Sequence, residues 1–129
     1  MSDTGRVLAF PAPAVVRASD GAAEGALYKG GMRRLASGVS IITTDLAGER
    51  HGMAATSVTS VSADPPTLLV CIARTASSHD VIREAGHFCV NVLGADDRDV
   101  ADRFATQKDR AARFAGRDWS TLVTGAPAL

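Results

Sequence analysis

The sequence predicts a mainly β domain that carries two or three short helices. Short runs rich in β-branched residues, at 39–44, 67–72 and 87–93, are typical of strands. Gly, Asp and Pro separate these runs, and apolar residues recur at helical spacing only over short segments. A hydrophobic fraction of 46% is ordinary for a globular protein. The 14 basic and 14 acidic residues cancel, which argues against nucleic acid as a partner.

The N-terminal stretch is expected to lie outside the folded domain. Residues 1–24 are rich in Ala and Pro and show no period, so we expect a flexible extension before a domain at 25–129. The apolar run Val7–Phe10 is broken by Pro11 and Pro13 and is too short for the core of a signal peptide. The longest apolar run is far shorter than the roughly 20 residues of a membrane helix. The sequence therefore predicts a cytoplasmic protein without a membrane partner.

A helix and a β-hairpin are expected at the start of the domain. Leu27–Ala36 is predicted to be helical, because apolar side chains recur on one face of this segment. Val39–Thr44 and Glu49–Ser57 are then predicted to pair as strands across a turn at Asp45–Gly48. The residues expected on the apolar face of the helix are Tyr28, Met32, Leu35 and Ala36.

The segment Thr56–Ser62 is unusually rich in hydroxyl side chains. Strict alternation along a strand would leave neither of its faces apolar. Two interpretations stay open: an exposed edge strand that runs into a loop, or a segment whose hydroxyls and amides face a polar ligand. Asp64-Pro65-Pro66 is expected to interrupt the strand ladder, and Thr67–Ile72 is predicted to be a buried strand.

A candidate anion site precedes the next helix. Ser77, with Asp80 three residues on, forms a pattern like a capping box and predicts a short helix that Gly86 ends. The N-terminus of a helix presents unpaired amide groups and suits a phosphate, and Arg74 lies just before it. The alternative is that the helix binds nothing and that Arg74 is a solvated surface residue.

A further strand and helix are expected in the last third of the chain. His87–Leu93 is predicted to be a strand. Asp96 is expected to cap a helix over Asp97–Ala105, in which Asp99 and Arg103 stand at i, i+4 spacing and can pair.

The C-terminal part is predicted to hold one more helical piece and a short extended one. Lys108–Ala115 is the helical piece, with Asp109 and Arg113 again at i, i+4 spacing. Gly116 is expected to end it, and residues 118–123 are expected to be extended.

The sequence holds no motif that identifies a metal centre or a catalytic side chain. Its three histidines share no ligand spacing, and no serine lies in a Gly-x-Ser-x-Gly elbow. Neither a Gly-rich dinucleotide fingerprint nor a P-loop is present. Cys71 and Cys89 lie in apolar runs, where packed thiols are expected rather than a disulfide. We therefore predict no metal ligand and no catalytic side chain.

An ordered set of motifs between Tyr28 and Leu129 resembles the flavin reductase-like family, the small reductase components of two-component flavin-dependent monooxygenases. Each motif alone is weak, and their order carries the resemblance. The motifs are Ser37-Gly38-Val39 with Thr43-Thr44, Gly52-Met53-Ala54-Ala55-Thr56-Ser57-Val58-Thr59-Ser60-Val61-Ser62, Asp64-Pro65-Pro66, Leu68-Leu69-Val70-Cys71, Ser77-Ser78, Phe88-Cys89-Val90-Asn91-Val92-Leu93, Phe104-Ala105, Asp109-Arg110 and Phe114.

The resemblance implies an FMN-binding split β-barrel that forms a homodimer. It also implies reduction of free flavin, FMN or FAD, by NADH or NADPH, with the reduced flavin diffusing to a partner monooxygenase. The cofactors carry the chemistry in such a reaction, so the protein needs to position them rather than to supply a nucleophile.

The resemblance also implies a set of cofactor-binding residues in this chain. They are Ser37, Gly38, Val39 and Ser40 at the edge of the isoalloxazine; Ala55, Thr56, Ser57, Val58, Thr59, Ser60 and Val61 lining the ring; Arg74, Ser77 and Ser78 at the phosphate; and Arg110 as a further contact.

The chain departs from the family pattern at two points. Thr56 stands where the family often has Asn, which offers an additional donor. Family members also continue past the Gly-x-Pro that matches Gly125-Ala126-Pro127, so we expect a barrel that is truncated at its C-terminal end. The alternatives are a non-catalytic flavin-binding module or inactive remnant, and a pyridoxal-phosphate-type oxidase, which usually has more basic residues near the phosphate than Arg74 alone.

Overall fold

The computed structural model describes residues 21–106 and 109–129, in two compact units that divide after Ala36. The predicted combination of strands and short helices is confirmed. Two short 3₁₀ helices, Ala95–Asp97 and Ala111–Phe114, accompany the main elements. In chain order these are α1 (Gly21–Met32), β1 (Ser40–Leu46), β2 (Glu49–Ala55), β3 (Val58–Ala63), β4 (Pro66–Val70), α2 (His79–Ala85), β5 (Cys89–Val92), α3 (Arg98–Ala105), β6 (Ser120–Thr121) and β7 (Pro127–Ala128).

Helix α1 differs from its prediction at both ends. It begins at Gly21 and ends at Met32, whereas the apolar spacing predicted a helix over 27–36. After Met32 the chain tightens into turns in which the Leu35 amide donates to the Met32 carbonyl at 3.1 Å. Two glycines close to this end lower helix propensity, which explains the early stop. Residues 21–24, assigned to the extension from sequence, are thus helical, and residues 1–20 lie outside the described residues.

Strand β1 is the centre of a three-stranded antiparallel sheet in the order β2-β1-β5. The predicted hairpin is confirmed, with Ser40 opposite Ala55 and Leu46 opposite Glu49. Because successive strand residues point to opposite faces, a run of buried residues means that both faces are covered. The buried run in β1 is Ser40, Ile41, Ile42, Thr43 and Thr44.

The apolar core lies between this sheet and helix α3. Val100 and Phe104 project from α3 and cluster with Ile41. Phe104 also contacts two aromatic rings from the following segment: its centroid is 5.1 Å from that of Phe114 and 5.6 Å from that of Trp119. The Phe104–Phe114 pair is edge-to-face, with an interplanar angle of 85°, and such pairs add stabilisation beyond the area they bury.

Gly52 in β2 lets Phe104 approach the backbone of the sheet. A Cβ atom at position 52 would lie 2.7 Å from Phe104 Cε1 and 3.1 Å from the Ile42 carbonyl oxygen. Both distances are shorter than ordinary van der Waals contact, so a side chain at position 52 would displace the ring. The glycine is therefore required by packing.

A buried polar node attaches β7 to the sheet. The Asn91 Nδ2 group donates to the Ile41 carbonyl and to Thr43 Oγ1, both at 3.0 Å. Its Oδ1 accepts from the Leu129 amide at 2.8 Å, and Thr43 Oγ1 donates to the Pro127 carbonyl. Every polar atom of this amide thus has a partner, as burial requires.

Strands β3 and β4 form a two-stranded antiparallel ribbon. The strand predicted over 67–72 is therefore present as β4, but its predicted burial is wrong. Leu68 and Leu69 are each 46% exposed, and Cys71, predicted to be a packed thiol, is exposed. In the part of the chain described here, β4 pairs only with β3, so its side chains have little to pack against.

The prediction that Asp64-Pro65-Pro66 interrupts the strand ladder holds only up to Pro65. The ladder resumes at Pro66, because proline is tolerated as the first residue of a strand.

The predicted starts of the two later helices are wrong in detail. Helix α2 begins at His79 and has no side-chain cap, because the Asp80 carboxylate accepts from His79 Nδ1 at 2.9 Å instead of from the backbone. Helix α3 begins one residue later than predicted, and Asp97 rather than Asp96 accepts from the Gly94 amide, at 2.9 Å. Competing side-chain partners decide both cases. The predicted end of α2 is confirmed.

A surface charge network surrounds the N-terminal turn of α3. The predicted Asp99–Arg103 pair is confirmed at 2.9 Å, and Arg117 Nη2 donates to the other Asp99 oxygen at 2.6 Å. The hydrogen bond from Arg117 is the chief reason that the pKa of Asp99 is lowered from its ordinary value.

We expect Arg117→Ala to raise the pKa of Asp99 toward its ordinary value, measured by NMR titration of the carboxyl carbon. The lowered pKa stabilises the folded state above the unfolded pKa of the carboxyl, and this contribution disappears as the pH falls through the folded pKa. The stability difference between the variant and the unmodified chain should therefore shrink in acid. Arg83→Ala removes a cation beside Asp80 and should leave Asp99 unchanged; an equal shift in both variants would contradict the assignment.

Candidate functional site

A cleft of about 510 Å³ contains several of the residues that the sequence predicted to be functional. Three segments form it: the β1–β2 turn with the start of β2, the serines before α2, and the 3₁₀ helix after α3. The residues that line it are Gly48, Glu49, Arg50, His51, Gly52, Ser77, Ser78, Arg110, Ala111, Arg113 and Phe114.

Three of the sequence-predicted site residues come together in this cleft: Ser77, Ser78 and Arg110. Ser78 is only 5% exposed, whereas Ser77 and Arg110 are open to solvent. The two serines also line a second hollow of about 130 Å³, which continues past Ala54. The two hollows therefore share Ser77 and Ser78 in their lining.

Arg113 lies in the wall of both hollows and is only 6% exposed. Its Nη1 donates to the Gly52 carbonyl at 2.8 Å and its Nη2 donates to the Thr106 carbonyl, while its buried Nε has no partner among the described residues. Desolvation, and to a smaller extent the charge of Arg110, lower the pKa of Arg113. The cleft therefore contains a buried cation beside a second, exposed one.

The helical piece predicted over 108–115 is present in part, as a 3₁₀ helix, but its predicted Asp109–Arg113 ion pair is wrong. Lys108 lies outside the described residues, and the observed element is the 3₁₀ helix Ala111–Phe114. Asp109 has a positive φ of 45°, and its Oδ1 accepts from the Ala112 amide at 3.2 Å. The tighter 3₁₀ geometry turns Arg113 inward instead of placing it above Asp109.

The residues predicted to edge the isoalloxazine, 37–40, lie beside the start of the hydroxyl-rich segment. The Ser37 hydroxyl donates to the Thr56 carbonyl at 3.0 Å, and Ser40 pairs with Ala55 in the sheet. Gly38 and Val39 continue between them, so the predicted edge residues and the first ring-lining residues are neighbours.

The remaining predicted residues do not join the same cleft. The Ser57 hydroxyl donates to the Cys71 carbonyl at 2.7 Å. Ser60 lines a separate groove of about 500 Å³ together with Val58 and Thr59, and Val61 is exposed. Ser57, Ser60 and Ser77 thus have three different surroundings, whereas the resemblance implied that all three would line one flavin site.

Arg74, predicted at the phosphate, is exposed and is not among the residues that line the cleft. Arg113 lies there instead, with Arg50 and His51 from the hairpin. The one available signal for Arg113 was an arginine placed among Ala and Phe in an otherwise apolar segment. The i, i+4 spacing of Asp109 and Arg113 instead suggested an ion pair on the surface of a helix.

The described residues were also compared with the requirements of a metal site and of a membrane-spanning helix. Residues 21–106 and 109–129 contain no group of three or more His, Cys, Asp or Glu side chains arranged to hold a metal ion. Over the same residues, no helix combines the length and the apolar character that crossing a membrane requires.

Comparison with known proteins identifies curated relatives of similar sequence. The chain is 48% identical over 102 residues to FMN reductase (NADH) RutF of Stutzerimonas stutzeri, an alignment that covers 79% of this chain and 59% of that relative. The chain thus spans between half and three-fifths of the length of the curated relatives that it matches.

Comparison with solved structures also identifies flavin reductases. A flavin reductase domain protein from Arthrobacter sp. FB24 superposes with a TM-score of 0.73 at 40% identity, covering 81% of this chain and 64% of the other. BorF, the flavin reductase component of a bacterial two-component tryptophan halogenase, superposes with a TM-score of 0.73 at 36% identity, covering 81% and 66%. Residues 32–129 also match the flavin reductase like domain, and the chain therefore belongs to that family.

Proposed function

We propose that the protein takes part in NADH-dependent reduction of a free flavin, FMN in the first place, and that the reduced flavin passes to a separate monooxygenase. The similarity at 48% identity to an FMN reductase (NADH) is the observation that carries this proposal. The basic, hydroxyl-lined cleft supports it, because a flavin phosphate needs both donors and positive charge.

We further propose where the flavin lies. The ring would lie against the junction of β2 and β3, where the Ser37–Thr56 hydrogen bond joins two of the predicted segments. The phosphate would lie toward Ser77 and Ser78. Bound flavin and NADH supply the hydride chemistry, and the chain's own amides and hydroxyls hold and orient them. No side chain is required to act as a nucleophile.

We also infer that the ribbon completes a split β-barrel in a homodimer located in the cytoplasm. Val61, Leu68, Leu69 and Val92 expose apolar surface on the ribbon and β5, which a second copy would cover. Cys71 and Cys89 are both free thiols, which suits a reducing compartment. Light scattering of the purified chain tests the dimer, and a monomeric mass would contradict it.

The test of the activity uses the 129-residue chain and follows NADH absorbance with and without FMN, in the absence of oxygen. We expect NADH oxidation that depends on both the protein and FMN, and flavin fluorescence that changes when the protein is added. Binding without NADH oxidation would favour a non-catalytic flavin-binding module. Absence of both binding and oxidation would contradict the proposal.

A further inference from the structure

Arg113 joins two parts of the chain that line different hollows. Its Nη1 donates to the Gly52 carbonyl at 2.8 Å, and its Nη2 donates to the Thr106 carbonyl. Gly52 lines the cleft and Thr106 lines the second hollow, whereas Arg113 lines both. The guanidinium therefore forms part of the boundary between the two hollows.

The contact with Gly52 holds the outer edge of strand β2. Among the described residues, β2 pairs only with β1, so its other side has no strand neighbour. The Gly52 carbonyl accepts from Arg113, and the ring of Phe104 lies where a Cβ atom of residue 52 would be. One side chain from α3 and one from the following 3₁₀ helix thus fix this edge at a single residue.

The edge of β2 leads directly to the proposed site of the flavin ring. Strand β2 ends at Ala55, three residues after Gly52, and the carbonyl of the next residue, Thr56, accepts from the Ser37 hydroxyl. Three strand residues span only about 10 Å. A displacement of β2 at Gly52 should therefore move the backbone against which the ring is proposed to lie.

An arginine is a costly residue for a contact that serves stability alone. Arg113 is buried, its Nε has no partner among the described residues, and both of its hydrogen-bond partners are uncharged carbonyls. Burying a cation in this way costs free energy, and residues that break the burial rule are expected at functional sites. The planar fork of arginine can hold two acceptors at a fixed separation, which the single ammonium of lysine does not reproduce.

We propose that Arg113 is a positioning residue for flavin reduction: it fixes β2 against the segment that follows α3 and so sets the place of the flavin ring. The inference rests on the proposed function. Arg113 acts through β2 rather than by contact with the flavin, and its fork of hydrogen bonds matters more than its charge. Because hydride transfer requires two rings at reacting distance, a small displacement lowers the rate more than it lowers the affinity.

Arg113→Lys tests this role, because it keeps the positive charge and loses the fork. We expect kcat for FMN-dependent NADH oxidation to fall at least about tenfold, as a small misplacement of reacting groups does, and the FMN dissociation constant to change less than about threefold. Fluorescence quenching measures the dissociation constant. The matched control is Arg98→Lys on α3, whose side chain is 91% exposed and outside the cleft; neither quantity should change.

Three kinetic outcomes would overturn the proposal. The first is an unchanged kcat in Arg113→Lys, and the second is an equal fall in Arg113→Lys and Arg98→Lys. The third is weaker FMN binding at unchanged kcat, which would make Arg113 a binding residue.

Amide hydrogen exchange of the flavin-free chain provides a readout that does not need activity. Arg113→Lys should speed exchange in residues 53–55 of β2 and leave the β3–β4 ribbon unchanged, because only the edge of β2 loses a contact. Arg113→Met, which also removes the charge, should give the same pattern, and circular dichroism reports whether it folds. Faster exchange throughout the chain, no change in β2, or unfolding of both variants would overturn the proposal.

The two readouts also separate this inference from the proposed function. Failure of the unmodified chain to bind or reduce any flavin would overturn the proposed function. Hydrogen exchange would then decide by itself whether Arg113 positions β2.

Discussion

Replacing Phe104 by alanine is expected to destabilise the folded chain by about 3–5 kcal/mol, the usual range for removing a buried aromatic ring. Phe104 is 3% exposed and contacts Phe114, Trp119 and the backbone at Gly52. Its loss would leave a cavity between α3 and the sheet and would break two aromatic contacts. Urea unfolding followed by circular dichroism measures the change.

The matched control is Phe88→Ala, because Phe88 is 41% exposed and lies outside this cluster. We expect it to destabilise the chain by less than about 1 kcal/mol. Trp119 is the only tryptophan, so its emission reports the cluster directly and should shift to longer wavelength in Phe104→Ala alone. Similar losses of stability in the two variants would contradict the role assigned to Phe104.

Asn91→Asp is expected to destabilise the chain by about 3 kcal/mol near pH 7, because it places a charge in the buried node without a counter-ion. The amide donates to the Ile41 carbonyl and to Thr43, and a carboxylate cannot donate to either. Burial and facing acceptors raise the pKa of the introduced carboxyl in the folded state. The folded state then binds more protons than the unfolded one, so the loss should shrink as the pH falls.

The measurement is urea unfolding at neutral and acid pH, with each variant compared with the unmodified chain at the same pH. Thr59→Asp adds the same charge to an exposed strand position and should cost less than about 1 kcal/mol at either pH. A loss for Asn91→Asp that does not depend on pH would contradict the role of the buried charge and would assign the loss to the missing amide donors.

The sequence predicted the hairpin because every local signal there agrees. β-branched residues, a turn at a glycine and a buried central strand all favour the same pairing, and β1 and β2 follow it over their full length. The Asp99–Arg103 pair was equally predictable, since both of its residues lie on one short helix.

The errors arise where the structure depends on a packing or hydrogen-bond partner that the local pattern does not specify. An apolar run such as 67–72 looks buried, but nothing local tells whether another layer covers it. Asp80 looked like a helix cap, yet His79 offers its carboxylate a closer donor. A local sequence pattern does not show which of two possible hydrogen-bond donors such a carboxylate will accept from.

The candidate site was likewise predictable only in part. Ser77, Ser78 and Arg110 were named from the resemblance, and they do meet in the cleft. Arg113 could not be named, because its partners are backbone carbonyls 61 and 7 residues away that no side-chain pattern records. Arg74 was named for its closeness in sequence to the helix, which does not ensure closeness in space.

Positions 52 and 104 are far apart in sequence, but substitutions at the two positions should affect each other. The ring at position 104 occupies the volume where a side chain at position 52 would begin. A methyl group at 52 should be tolerated best when a smaller residue stands at 104, so the energies of the two changes should not add. A library that varies both positions together should recover compensating pairs that single substitutions never reveal.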